Sequence, residues 1–430
     1  MRLALLSCVI AFPQFASLAD GTRYVSADGD DANDGLTERT AWRTLSRLAR
    51  DLPAGGEGRL RRGDVFYSGR VAFRPGTDSA HRTRITAWGQ GAKPIVSAYM
   101  LPKRDVSTWK NAGSNLWTYV PRADRSLRGN VHSVNGNIGF LKVDGRIFGR
   151  KFFSKDSLER QWDFHDDHVT LTVWSTKNPA EAASDIKLAP DVRIFDLADH
   201  LEFRNIEIAG TGGHGISGIG CDVQITDCVI REIGGSHLAG HGTGVSRYGN
   251  GIECWAGSRD VRVKGCRISD VYDVAFTMQG RNPPHSWENI HVEDCVIIRC
   301  TQAIEIWARK CPAGVGFRNC TFRRNLCIDI SRNWGYDVRP DKINGAPLLL
   351  YSVDTDTCDL LIDENRFVNS RGALVSFWRG LGMLPKGYRI VGNRIEGDMT
   401  LPVCCQNGSD VRADRMRETQ IKAENTFSPQ

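Results

Sequence analysis

The sequence predicts an all-β chain wound into a parallel β-helix solenoid, and two observations carry that reading. First, from about residue 200 a short unit recurs, apolar-x-apolar-x-x-Cys/Asn-x-apolar: "LEFRNIEI" (with Ile in the Cys position), "VQITDCVI", "VRVKGCRI", "IHVEDCVI", "VGFRNCTF", "LLIDENRF" and "YRIVGNRI". Its sixth positions are Ile206, Cys228, Cys266, Cys295, Cys320, Asn365 and Asn393, at intervals of 22, 38, 29, 25, 45 and 28 residues. A fixed motif lengthened by insertions marks stacked repeats. Second, another short strand follows each unit in phase: "GHGISG", "GNGIECW", "DVAFTMQ", "TQAIEIW", "LCIDIS", "PLLLYS" and "GALVSFW". No helical apolar period lies between the repeats, which separates a β-helix from a leucine-rich horseshoe.

Taken in chain order, residues 1–19 read as an export signal, with Arg2, an apolar run from Leu3 to Ala16, and small Ser17 and Ala19 before the expected cut. The run is shorter than the roughly 20 residues of a membrane span, so the expectation is a secreted or periplasmic protein without a membrane partner. Residues 20–195 read as an N-terminal cap and the first coils. In "YVSADGDDANDGLTERTAWRTLSRLARDL" a strand and a polar turn lead into a helix, where Ala41, Leu45, Leu48 and Leu52 recur at helical spacing. Residues 196–430 carry the repeats, interrupted by long segments such as "GGSHLAGHGTGVSRYGN" and "SRNWGYDVRPDKINGA". Long loops on a regular scaffold are where function concentrates.

Composition narrows the classes. A net charge of +6 suits an acidic partner, and no dense basic run or nucleic-acid motif is present. Of the 13 cysteines, all but Cys8 fall between Cys221 and Cys405, without a CxxC pair or metal-type spacing to histidine, so no resident metal or cofactor is expected. The column Cys228, Cys266, Cys295 and Cys320 reads as stacked, buried thiols continuing into Asn365 and Asn393, with disulfides between coils the alternative, and Cys404–Cys405 as the redox-sensitive pair.

These repeats resemble right-handed parallel β-helix proteins of the pectin-lyase-like group. "YVSADGDDANDGLTERTAWRTLSRL" is similar to the N-terminal segment of secreted members, and "RRGDVFYSGRV" with "TRITAWGQGAKPIVSA" to their first coils. The resemblance implies a single-stranded, right-handed solenoid with a small helix-bearing cap. It also implies action on, or binding of, polysaccharide. "GGHGISGIG" is similar to the GHG element of polygalacturonases. The partner motif "NTD" is missing, however, and the only "DD" pairs lie outside the repeats, so His214 reads as an ordinary rung.

Chemistry is expected on the second recurring strand. Aligned, it places Ser217, Glu253, Thr277, Glu305, Asp329, Leu350 and Val375 in one outward column, their apolar neighbours facing in. Coils stack about 4.8 Å apart. Glu305 and Asp329 on successive coils would therefore suit the roughly 5 Å carboxyl pair of a retaining glycosidase, with Glu253 assisting. Two residues on, Trp255, Gln279 and Trp307 flank the acids, the indoles suited to stacking on sugar rings. Loop residues Arg281, Arg332, His241, Tyr248 and Trp334 complete a binding set for an anionic polysaccharide. The leading expectation is glycoside hydrolysis by Glu305, Asp329 and Glu253. The alternatives are a polysaccharide lyase (with Ca²⁺ on the acidic column) or uronate epimerase, and a non-catalytic glycan-binding protein.

Overall fold

A computed structural model describes residues 21–124, 135–238, 246–340, 345–351, 353–378, 387–397, 399, 401–406 and 411–428. The export segment lies outside these. Among the described residues, three long parallel sheets of ten, ten and eight strands run the length of the molecule, and each coil of the central repeats, from Leu201 onward, contributes one short strand to each. One coil shows the pattern. Arg259–Lys264 lies in the first sheet, Arg267–Val271 in the second and Val274–Arg281 in the third. Alternation sends Val261, Val263 and Ile268 inward, each fully buried, while Arg259 and Arg262 face out.

The corner between the first and second sheets explains the sequence marker. The residue before each marker adopts a left-handed backbone: Asn205, Asp227, Gly265, Asp294, Arg324, Glu364 and Gly392 have φ between 52° and 66°. Asn, Asp and Gly tolerate that region best, which is why they predominate there. The marker then turns inward. Cys228, Cys266 and Cys295 are buried, and their thiols donate to backbone carbonyls such as Thr226 O at 3.3 Å. From there the column continues as Asn325, Asn365, Asn393 and Asn425. Each amide oxygen accepts from the backbone N–H of the preceding coil's marker, at 2.9–3.0 Å. The described cysteines are free thiols. The side chains of Cys404 and Cys405 lie outside the described ones.

Cys320 does not belong to this column. It sits in the first-sheet strand Phe317–Arg323, on the same row as Leu360. The mimicry has a physical origin. Each coil has a second left-handed position, at the start of the first-sheet strand: Asp222, Asp260, Asn289 and Asn319. Asn319–Cys320 therefore looks like a corner in sequence and is a bulge in the structure. The true corner is Arg324–Asn325, five residues later.

A large insertion leaves the second coil after the second-sheet strand Ile95–Ser97 and returns at the third-sheet strand Phe195–Leu197. It builds a five-stranded, mainly antiparallel sheet (including Leu116–Tyr119, Phe164–Asp166 and Leu171–Trp174) and a three-stranded antiparallel one (Ile138–Val143, Arg146–Phe148, Ile186–Pro190). Arg247 is almost wholly buried and joins this insertion to the solenoid, donating to Gly139 O (2.9 Å), Gly149 O (3.0 Å) and Gly235 O (2.7 Å).

The expected N-terminal helix runs from Leu45 to Asp51, with Thr44 as its N-cap; Ala41, Leu45, Leu48 and Leu52 are all buried. Leu48 covers Gly58 of the first sheet, where an added Cβ would come within 2.7 Å of Leu48 Cδ2. At the other end, helix Val411–Glu424 packs on the last coils and buries Ile421. Both ends of the solenoid thus carry a helix, as an open stack of strands requires.

Candidate active site on the third sheet

Register places Asp196, Ser217, Glu253, Thr277, Glu305, Leu349 and Ser376 side by side across the third sheet. The first four expected members, Ser217 to Glu305, are as the alignment had them; the rest are not. Glu305 pairs with Leu349, not Asp329, and Leu350 and Val375 face inward. Asp329 follows the second-sheet strand Leu326–Ile328, in a left-handed turn where its Oδ1 accepts from Asn369 Nδ2 at 2.5 Å. The adjacent Glu305–Asp329 pair therefore does not exist. The five-residue slip at Cys320 had promoted a second-sheet strand into the third.

Glu253 is fully buried. Its Oε2 lies 2.8 Å from His214 Nδ1 and 3.3 Å from Asn250 Nδ2, and its Oε1 accepts from Gln279 Nε2. His214 Nδ1 is also 3.1 Å from Asn250 N. The shorter contact, to a carboxylate, puts the ring proton on Nδ1 and directs it at Glu253. Burial pushes the Glu253 carboxyl upward, but His214, Gln279 and Asn250 together outweigh it and hold the group below its ordinary value. Two coils away the balance is opposite. Glu305 has no hydrogen bond or ion pair among the described residues. Burial first, then the charges of Asp273 and Glu253, against Arg339, push it up to about 8. Asp273 itself pairs with Arg339 Nη1 at 2.8 Å. Between the two acids, Thr277 Oγ1 is buried without a hydrogen-bond partner among the described residues, as are Ser217 Oγ and Trp307 Nε1 nearby. Buried orphan polar atoms of this kind call for water or a ligand.

The insertion completes one wall. Tyr248 sets its ring edge-on to His214, centroids 5.1 Å apart, and its hydroxyl donates to Asp191 Oδ1. Asp191 Oδ2 accepts from Asn137 Nδ2 at 3.1 Å, and Asn137 Oδ1 accepts from Lys151 Nζ at 2.7 Å. Burial pushes Asp191 up despite these donors.

The expected binding residues divide. Trp255, Gln279 and Trp307 share a row, as expected, and it continues as Tyr351 and Trp378. Trp255 is 37% exposed, and the Trp307 ring lies 6.3 Å from Tyr351. Gln279 is held on Glu253. Arg281 is exposed on the same face beside Arg309. Trp334 packs against Phe140 (5.1 Å) and Tyr272 (5.4 Å), and so serves the joint between insertion and solenoid, not a sugar subsite. Arg332 Nε donates to Asn369 O, on the Asp329 side. His241 lies outside the described residues. His214, an ordinary rung by its sequence, is the partner of Glu253; its sequence signal is its phase with Asn250. Arg339 lies in the long segment "SRNWGYDVRPDKINGA", expected at the rim of this face, whereas Asp273 and Asp191 carry no sequence signal, because tertiary contact alone brings them here. A separate cavity of about 320 Å³, lined by Tyr67, Leu101, Trp109 and Lys187, is bordered by no residue of the Glu253–Glu305 row.

Residues 194–343 match the family described as "Right handed beta helix region". The chain is a right-handed parallel β-helix. Over 95% of its length and 82% of the other chain it superposes on XylC in complex with xylose, at a TM-score of 0.54 and 9% identity, a likeness of fold. Looser likenesses are an alginate lyase from Paenibacillus sp. str. FPU-7 (TM-score 0.48, 11% identity, 85% of this chain and 90% of that one) and the GH136 lacto-N-biosidase from Eubacterium ramulus (0.46, 15%, 95% and 68%). No curated protein sequence matches the chain. Among the described residues, no helix of this β-helix is long and apolar enough to cross a membrane.

Proposed function

We propose that this β-helix cleaves glycosidic bonds of an extracellular, acidic polysaccharide by hydrolysis, with Glu305 as general acid and His214, oriented by Glu253, as general base. The observation that carries the reading is the opposite tuning of two carboxyl groups on one face: Glu305 pushed up to about 8, Glu253 held below its ordinary value. Groups driven apart in this way divide acid and base work. Protonated at neutral pH, Glu305 can give its proton to the leaving glycosidic oxygen. Glu253 is sealed from solvent, so its charge acts through His214. Nδ1 of that ring is committed to Glu253, and Nε2 has no hydrogen bond among the described residues. In the reaction, Nε2 takes a proton from water, the water oxygen attacks the anomeric carbon, and the sugar–oxygen bond breaks as Glu305 protonates the departing oxygen.

Glu253 and Glu305 stand two coils apart, roughly 9.6 Å by strand spacing. Because His214, not a second carboxylate, activates the water, no carboxylate nucleophile stands at the roughly 5 Å of a retaining pair, and a single displacement inverts the anomeric centre. Trp255 and Trp307 supply stacking surface, and Arg281 with Arg309 favours anionic sugars.

The test is a panel of acidic and neutral polysaccharides with products read by mass and ultraviolet absorbance. Hydrolysis gives products that have gained one water, formed with inverted anomeric configuration, and kcat/KM falling above about pH 8 as Glu305 ionises. Glu305→Gln and His214→Ala each lower kcat by about 10²-fold or more. Glu253→Gln lowers kcat with KM unchanged, as expected of a positioning residue. An unsaturated, ultraviolet-absorbing product, or full activity in Glu305→Gln, overturns the reading.

A further inference from the structure

A second cluster lies where the insertion meets the solenoid. The hairpin Phe164–Asp166 to Leu171–Trp174 brings Asp166 and His168, and the two-residue strand Ser236–His237 brings His237. One ligand atom from each lies within 4.8 Å of the other two. In a tetrahedral zinc site with bonds of about 2.0–2.1 Å, such atoms stand roughly 3.4 Å apart, so an inward turn of the exposed His168 side chain would close the set.

The cluster is built like a site, not a chance meeting. Asp166 is fully buried, and its Oδ2 is fixed by Lys151 Nζ (2.7 Å) and Ile138 N (3.1 Å). Oδ1 accepts from His168 N at 3.4 Å and faces His168 Nε2, 4.0 Å away. The His237 ring is stacked on Phe153 with centroids 4.3 Å apart, and its backbone N–H and carbonyl are both tied to the Asn137 side chain. Yet His237 Nε2, in a residue only 9% exposed, has no hydrogen-bond partner among the described residues. A buried ring nitrogen without a partner is costly unless something occupies the space before it. Orientation of ligands by outer hydrogen bonds and packing is what a metal site needs.

We infer that Asp166, His168 and His237 bind a divalent d-block cation, zinc by preference, through two imidazole nitrogens and one carboxylate oxygen. Such a mixed donor set suits zinc, whereas calcium prefers six to eight oxygens. The ion would tie the insertion to the segment leading into the Glu253 strand, and so acts as a clamp on one wall of the candidate site. A fourth position is left for water.

The experiment uses the tag-free full chain, stripped with chelator and dialysed against Zn²⁺ alone, with metal measured by atomic emission. The expected result is about one zinc per chain, not displaced by excess Ca²⁺, together with a higher melting temperature. His168→Ala and His237→Ala weaken uptake at least about tenfold and abolish the thermal gain. The His168 side chain is exposed, so its removal leaves folding intact, and circular dichroism verifies this; it remains decisive if His237→Ala misfolds. Retention below a tenth of an equivalent by the wild type, or unchanged affinity in His168→Ala, overturns the proposal. Glu305→Gln should take up zinc as the wild type does, so this result stands apart from that of the polysaccharide assay.

Discussion

Glu305 shows how a fold can hold a group in an unfavourable state for chemistry. With a value of about 8 against an ordinary 4.5, the folded chain keeps a proton that the unfolded chain has released across that window. Stability therefore falls as pH rises from about 4.5 to 8. Glu305→Gln keeps the shape and removes the titration. Thermal melts should show the variant gaining on the wild type between pH 5 and pH 8, and a pH-independent difference would show that Glu305 is not tuned in this way. Glu253 is the converse case, with its charge balanced by His214, Asn250 and Gln279 before any substrate arrives.

The corner column sets the strength of each coil. Asn365 accepts from Asn325 N and Asn325 Nδ2, and it donates to Phe322 O and Asn393 Oδ1, all in the interior. Asn365→Ala strands several buried polar groups at once, at a cost of about 3 kcal/mol. Cys266→Ala, which removes one weak donor and a small apolar volume, should cost clearly less. Paired denaturant titrations check the order, and equal losses would show that the amide ladder is not what binds the coils. The same column governs how legible the coils were. Cys228, Cys266 and Cys295 reveal themselves because a left-handed residue must precede them. Cys320 deceives because the first-sheet bulge imposes the same backbone demand on Asn319.

Across the whole molecule, the insertion and the solenoid meet through a joint of packed and hydrogen-bonded side chains, Arg247 among them. Its three bonds to Gly139, Gly149 and Gly235 carbonyls are charge-assisted and buried. Arg247→Met should therefore loosen this joint without unwinding the coils. Hydrogen exchange should rise about tenfold or more in Ile138–Val143 and Ser236–His237, while Val261–Val263 stays protected. A uniform rise over both regions would mean that the two parts unfold together. Because Asp191 and Tyr248 carry the insertion's contact to His214, the same variant should also lower activity.

The sequence by itself determined the solenoid, its inward and outward faces, the capping helix and the row Glu253–Thr277–Glu305. These rest on local rules: period-two burial, left-handed corners, and one strand per repeat. Only the tertiary structure decided what stands opposite those residues. It moved Asp329 to another sheet and set His214 against Glu253. It brought Asp273 and Arg339 near Glu305, and it joined Asp166, His168 and His237 across an insertion of unmarked length. The physical reason is that strand register follows from nearest neighbours along the chain, whereas charge balance and ligand sets depend on groups that meet only when distant segments pack.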